Sequence, residues 1–154
     1  MIFKSKPIIT QYFGENRDYY MKFGNNGHEG IDLIPPDEHY AIYAFVGGTA
    51  RRVYESVVYG LTIILYSPAL RMSFRFAHLS ILNVKEGDTV VPGAILGMMG
   101  HTPDDAVGID GRTMRPHLHL NCVPMTIFGL ADFRDNGYKG RVDPLGVLRF
   151  LGEL

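Results

Sequence analysis

Short runs of β-branched and aromatic residues, each closed within a few positions by Gly, Pro or Asp, dominate this chain and limit what it can fold into. Eighteen glycines and nine prolines supply the punctuation, and nine Tyr plus nine Phe fill the runs between them. Strands stop where the turn residues fall, so the pattern predicts an all-β domain of short antiparallel strands. Leu61–Tyr66 reads as a buried strand closed by Ser67-Pro68. Met72–His78 alternates with period two, which places Met72, Phe74, Phe76 and His78 on one face. Thr89–Val91, Ala94–Met99 and His117–Val123 read as further strands, with turns at Glu86-Gly87-Asp88 and Pro92-Gly93. Helical signal is thin. The clearest case is the last segment, where Asp143 is placed to cap a short helix and Pro144 occupies its first position.

The 154 residues fit one domain, 1–154, with no linker, low-complexity tract or exact internal repeat. Apolar residues make up 46% of the chain and charged residues 20%, with a net charge of −1. That balance gives no reason to expect a nucleic-acid partner or an acidic membrane surface drawn by bulk charge. No apolar run reaches the roughly 18 residues that suggest a transmembrane helix, so no membrane insertion is expected. The N-terminus, Met1-Ile2-Phe3-Lys4-Ser5-Lys6-Pro7, lacks the apolar stretch of a signal peptide. The protein is therefore expected to stay where it is made, to be released by lysis or assembly, or to have had a leader trimmed. The single cysteine, Cys122, excludes an intrachain disulfide.

Six histidines carry the chemistry. In Gly27-His28-Glu29-Gly30-Ile31-Asp32, His28 and Asp32 lie four residues apart and share a face, and the two glycines argue against a helix there. An imidazole with a carboxylate is an ordinary zinc ligand pair, although a solvated His and Asp can have the same spacing. In Pro116-His117-Leu118-His119-Leu120, a strand projects both rings to one side, roughly 7 Å apart by the rise per residue. Two adjacent imidazoles do nothing for a core, because each buries nitrogens that need partners. His78 closes the alternating strand, where a core histidine is the plainer reading. Together these groups suit a catalytic zinc site of three protein ligands with a fourth position for water. His28, Asp32 and one of the paired histidines supply that set. The His-Glu-x-x-His motif, in which Glu is the base, is absent, so the remaining histidines are the natural acid–base groups.

The order of these motifs resembles the lysostaphin-type (LytM-like) zinc endopeptidases that cut peptidoglycan peptides. The likeness runs from Ile9-Thr10-Gln11-Tyr12-Phe13-Gly14 through His28-Glu29-Gly30-Ile31-Asp32 and Phe76-Ala77-His78-Leu79-Ser80. It continues through Val84–Val90 and Gly93–Gly97 to Arg115-Pro116-His117-Leu118-His119-Leu120 and ends at Val142-Asp143-Pro144-Leu145. The resemblance implies antiparallel sheets in a duplicated hybrid, barrel-sandwich-like motif with an open groove. It implies one zinc ion on His28, Asp32 and His119, with His78 and His117 unligated and serving catalysis. It further implies peptidoglycan peptides as substrate and action at the cell wall, whether extracellular, periplasmic or virion-associated.

Two departures from the family pattern bear on substrate preference. The segment before Pro116 is long, with Met114-Arg115 where Thr-Gly is common, and the usual acidic ending (Phe-Glu-Val or similar) is replaced by Leu120-Asn121-Cys122-Val123.

The long stretches His101–Arg115 and Phe128–Arg141 are expected to wall the groove. His39 reads as a surface residue and His101 as a solvated loop residue, while Tyr19 or Tyr20 could donate to an oxyanion. A catalytically silent wall-binding or activator module on the same fold is the main alternative. A lipoyl- or biotin-carrier domain is suggested by Glu86–Val90 with Gly93–Gly97, but it needs a lysine in a tight turn, and Met98-Met99-Gly100 offers none.

Overall fold

In a computed structural model, which describes residues 1–131, 134 and 136–154, the chain forms a branched antiparallel sheet. Among the described residues it holds nine strands: β1 (Ile8–Gln11), β2 (Ile31–Ile34), β3 (Ala41–Tyr43), β4 (Gly48–Ser56), β5 (Gly60–Ser67), β6 (Met72–Leu82), β7 (Thr89–Val90), β8 (Ile95–Met99) and β9 (Leu118–Pro124). The main path runs β1-β2-β9-β6-β5-β4-β7. A branch leaves β6 through β8 to β3. Helices are short: α1 (Arg17–Tyr20), a single 3₁₀ turn at Met21–Phe23, and α2 (Leu145–Phe150). No described helix is long and apolar enough to cross a membrane.

β6 is the spine of the molecule. Residues 72–77 pair with β9 on one edge, and Leu79–Leu82 pair with β8 on that same edge. The sheet therefore forks at residues 77–78. The cause is a β-bulge: Ile63 stands opposite Phe76 and Leu61 opposite Leu79, so two residues of β6 face one of β5. His78 holds a left-handed backbone there, φ 62°.

This bulge corrects one expectation. Simple alternation places His78 on the face of Phe74 and Phe76. Those two phenylalanines pack on Phe45 in the core, at 5.0 and 5.8 Å between ring centroids. The extra residue turns His78 to the opposite face, where its ring lies 4.8 Å from that of His117.

The core gathers the inward faces of the sheet, including Ile31, Leu33, Ile63, Leu65, Phe74, Phe76, Leu118 and Leu120, all fully buried. The C-terminal helix begins one residue later than expected, with Pro144 as cap, although the Asp143 carboxylate does accept the Leu145 N–H at 2.9 Å.

Candidate metal centre

β2 and β9 pair so that Asp32 stands directly opposite His119, and on the next strand Ala77 stands opposite His119 as well. Register alone thus puts Asp32 and His119 side by side on the face away from the core, next to the bulge that carries His78. His28 reaches the same spot from the loop before β2, which is tied down by the Gly14 N–H to His28 O bond and the His28 N–H to Glu15 O bond, both 2.8 Å. Gly30 makes the approach possible. A Cβ at this position would lie 2.5 Å from Leu120 O and 2.9 Å from His119 Cε1, so only glycine lets the loop sit so close to β9.

Three donor atoms form a compact triangle. His28 Nε2 and His119 Nδ1 are 2.9 Å apart, His28 Nε2 and Asp32 Oδ1 3.2 Å, and His119 Nδ1 and Asp32 Oδ1 3.0 Å. All three residues are buried. Zinc bonds nitrogen and oxygen at about 2.0–2.1 Å, so the edge of its tetrahedron is roughly 3.3 Å. The triangle matches one face of that tetrahedron closely, and its imidazole–imidazole–carboxylate chemistry is that of a zinc site. Burial works against the Asp32 carboxylate, but a hydrogen bond from His119 and the adjoining His28 ring outweigh it and hold its pKa far below the usual range. Burial pushes His119 down, against the pull of Asp32. Asp32 is thus anionic and His119 neutral near pH 7, as metal ligation requires.

The two other histidines flank the triangle. The ring of His78 lies 6.0 Å from that of His119, and His117 Nε2 lies 3.8 Å from Asp32 Oδ1. His117 precedes β9 and is held by a bridge to Gly100, with its N–H on Gly100 O at 3.0 Å. Hydrogen bonds assign the ring nitrogens. A carbonyl can only accept, so a ring nitrogen that bonds one must carry a proton. His28 Nδ1 meets Tyr12 O at 3.2 Å, His78 Nδ1 meets Thr102 O at 2.7 Å, and His117 Nδ1 meets Arg115 O at 2.8 Å. With Nδ1 so engaged, the nitrogen that each ring has left to offer is Nε2. Burial, reinforced by the neighbouring His119 and His117, lowers the His78 pKa to about 3, so this ring is a neutral base at neutral pH.

A cleft of about 450 Å³ opens beside Asp32 and His117, lined also by Gln11, Asp110, Met114 and Arg115. The 101–115 loop thus forms a wall, as expected. The second expected wall, Phe128–Arg141, falls partly outside the described residues, because 132, 133 and 135 are not described. Its Arg141 turns behind the site, with Nη1 2.8 Å from Glu29 Oε2. Tyr20 lies against the His28 ring at 5.3 Å, and its hydroxyl bonds Gln11. Tyr19 instead packs on Tyr20 and Phe23. His39 is exposed. His101 is partly exposed, with Nδ1 3.7 Å from Asp104 Oδ1.

Sequence reasoning missed a buried polar layer behind the triangle. Glu29 receives the Tyr59 hydroxyl, Asn121 Nδ2 at 3.4 Å and Asn25 Nδ2 at 3.4 Å, and it pairs with Arg141; Arg75 Nη1 lies 4.0 Å away. The one available signal was a glutamate inside the His28–Asp32 motif, beside a ligand. The arginines come from distant segments that no local pattern links to it.

Residues 26–126 match the model of the family described as Peptidase family M23. No curated protein matches the chain. Among solved structures, the antimicrobial peptidase lysostaphin from Staphylococcus simulans superposes with a TM-score of 0.63 at 26% identity, over 82% of this chain and 45% of that one. The catalytic domain of the same protein gives a TM-score of 0.61 at 26% identity and covers 80% of each chain. A zinc-containing peptidase from Vibrio cholerae shares the fold, with a TM-score of 0.56 at 22% identity, over 79% of this chain and 36% of that one. The chain thus spans less than half of full-length lysostaphin.

Proposed function

Because the chain belongs to peptidase family M23, we propose that it is a zinc-dependent endopeptidase that hydrolyses peptide bonds in the stems or cross-links of bacterial peptidoglycan. The observation that carries this reading is the triangle of His28 Nε2, Asp32 Oδ1 and His119 Nδ1, with two free Nε2 lone pairs beside it. Those three atoms would hold the ion. When bound, zinc supplies Lewis acidity, which lowers the pKa of water toward about 7 and polarises a carbonyl oxygen.

The remaining steps belong to the protein. The cleft beside Asp32 seats an extended peptide against β1 and the 101–115 loop. His117 Nε2, 3.8 Å from Asp32 Oδ1, takes a proton from the attacking water and returns it to the leaving amine. His78, neutral and fixed by Thr102 O, orients that water from beside His117. This arrangement serves an active enzyme rather than a silent wall-binding module, which has no use for two aimed bases. The likeness to lysostaphin, an antimicrobial peptidase, supports the cell wall as the place of action, whether extracellular, periplasmic or virion-associated.

The test is a four-variant comparison. His119→Ala and Asp32→Ala should abolish both zinc retention and digestion of purified peptidoglycan. His78→Ala and His117→Ala should keep zinc and lose about 10²- to 10⁴-fold in turnover. Loss of zinc from His117→Ala would overturn the role assignment.

A further inference from the structure

Three of the four histidines at the centre are oriented in the same way, with Nδ1 on a backbone carbonyl and Nε2 facing the site. His119 is reversed. Its Nδ1 faces Asp32 and His28, and its outer nitrogen, Nε2, meets a side chain, Asn121 Nδ2 at 3.2 Å. A backbone carbonyl fixes a tautomer because it can only accept. A primary amide fixes neither, because it can donate through nitrogen or accept through oxygen. The ligand on which the site depends is thus held by the most adaptable partner among them.

The same Asn121 Nδ2 also bonds Glu29 Oε1 at 3.4 Å. Glu29 is itself buried and is fixed by Arg141, Tyr59 and Asn25. A continuous buried chain therefore runs Arg141–Glu29–Asn121–His119. With Nδ2 turned toward the ring, His119 carries its proton on Nδ1 and gives it to Asp32. That form cannot ligate a metal, because the Nδ1 lone pair is used. For Nδ1 to be free, the proton must sit on Nε2, and Nε2 then needs an acceptor in a site that excludes water. Rotating the Asn121 amide by 180° brings Oδ1 to that position.

We propose that Asn121 is a positioning residue for the metal ligand His119. Its amide turns over when His119 passes from the Nδ1-protonated, metal-free tautomer to the Nε2-protonated, ligating one, and Glu29, which accepts from Nδ2, favours the metal-free orientation. The proposal rests on the zinc reading above. It gives Asn121, at the place where the resembling family usually has an acid, a task that a carboxylate performs only in part. A carboxylate can serve the ligating tautomer but not the metal-free one.

The test measures zinc affinity of the purified chain by competition with a chromogenic chelator, independently of peptidase activity. Outer partners of zinc-bound histidines are worth about 10- to 100-fold in affinity, so Asn121→Leu should lose that much, and Asn121→Asp, which keeps an acceptor, should stay within about threefold of wild type. An Asn121→Leu variant that binds zinc as tightly as wild type would overturn the proposal. A second measurement needs no substitution. In ¹⁵N-histidine-labelled protein, zinc should move the His119 proton from Nδ1 to Nε2 while His28 keeps its proton on Nδ1 throughout. A His119 already protonated on Nε2 without metal would overturn the turnover of the amide. Failure of the wild-type chain to bind zinc would overturn the metal reading itself, a result distinct from either.

Discussion

His78 combines a left-handed backbone, a ring among histidines and a hydroxyl-bearing neighbour, Thr102, whose carbonyl fixes its tautomer. Its depressed pKa has a consequence for stability. A histidine kept neutral in the fold lets the unfolded chain bind a proton that the native state refuses. Stability is therefore full above the ordinary histidine value of 6.5 and falls as pH drops from there toward about 3. At about 1.36 kcal/mol per pH unit, the loss from this residue reaches roughly 2–3 kcal/mol by pH 4.5. His119, also depressed, acts in the same direction. Urea unfolding of chelator-treated protein at pH 7 and pH 4.5 should show this loss, and His78→Gln should recover a large part of it. An equal pH dependence in the variant would mean that His78 titrates normally. The sequence made His78 a candidate but placed it on the wrong face, because alternation carries no mark of a bulge. Spacing alone also left open which paired histidine would ligate, and the family resemblance named His119. Asp32 stands opposite His119 across the β2–β9 ladder, a register that spacing alone does not encode.

At the scale of elements, the strands readable in the sequence are those with clean patterns or marked turns: β5, β6, β7, β8 and β9 lie within four residues of their expected bounds. The strands missed were β1 to β4. β2, Ile-Asp-Leu-Ile, was hidden by the very residue that makes it functional, because Asp32 faces the site and interrupts the apolar run. α1 has four residues, too few for any helical period to register. The β2–β9 pairing depends on Gly30, so Gly30→Ala should push the His28 loop off β9. The expected cost is about 1–3 kcal/mol of stability, the usual penalty of overpacking, with weakened zinc binding alongside. Denaturant unfolding with zinc titration checks both. A variant with wild-type stability and affinity would show that the loop can yield without disturbing the triangle.

Across the whole molecule, the fork in β6 converts a sheet into a site. β9 on the spine's edge delivers His119, and the bridge to Gly100, just past β8, holds His117, while the bulge in β6 presents His78. The cleft runs past this point, with the 101–115 loop as a wall. His28 and His119, which meet in the triangle, lie 91 residues apart in sequence, so the centre exists only in the folded chain. The overall net charge of −1 gives no reason to expect a broad electrostatic attraction to any surface. The most direct test of the central claim is digestion of purified peptidoglycan by wild-type protein that has been stripped with a chelator and then titrated with zinc, with the fragments read by mass spectrometry. The account predicts no digestion without metal, recovery that saturates at one zinc per chain, and fragments carrying new peptide amino termini on intact glycan. Digestion that survives chelation, or fragments with new reducing sugar ends in place of new amines, would contradict it.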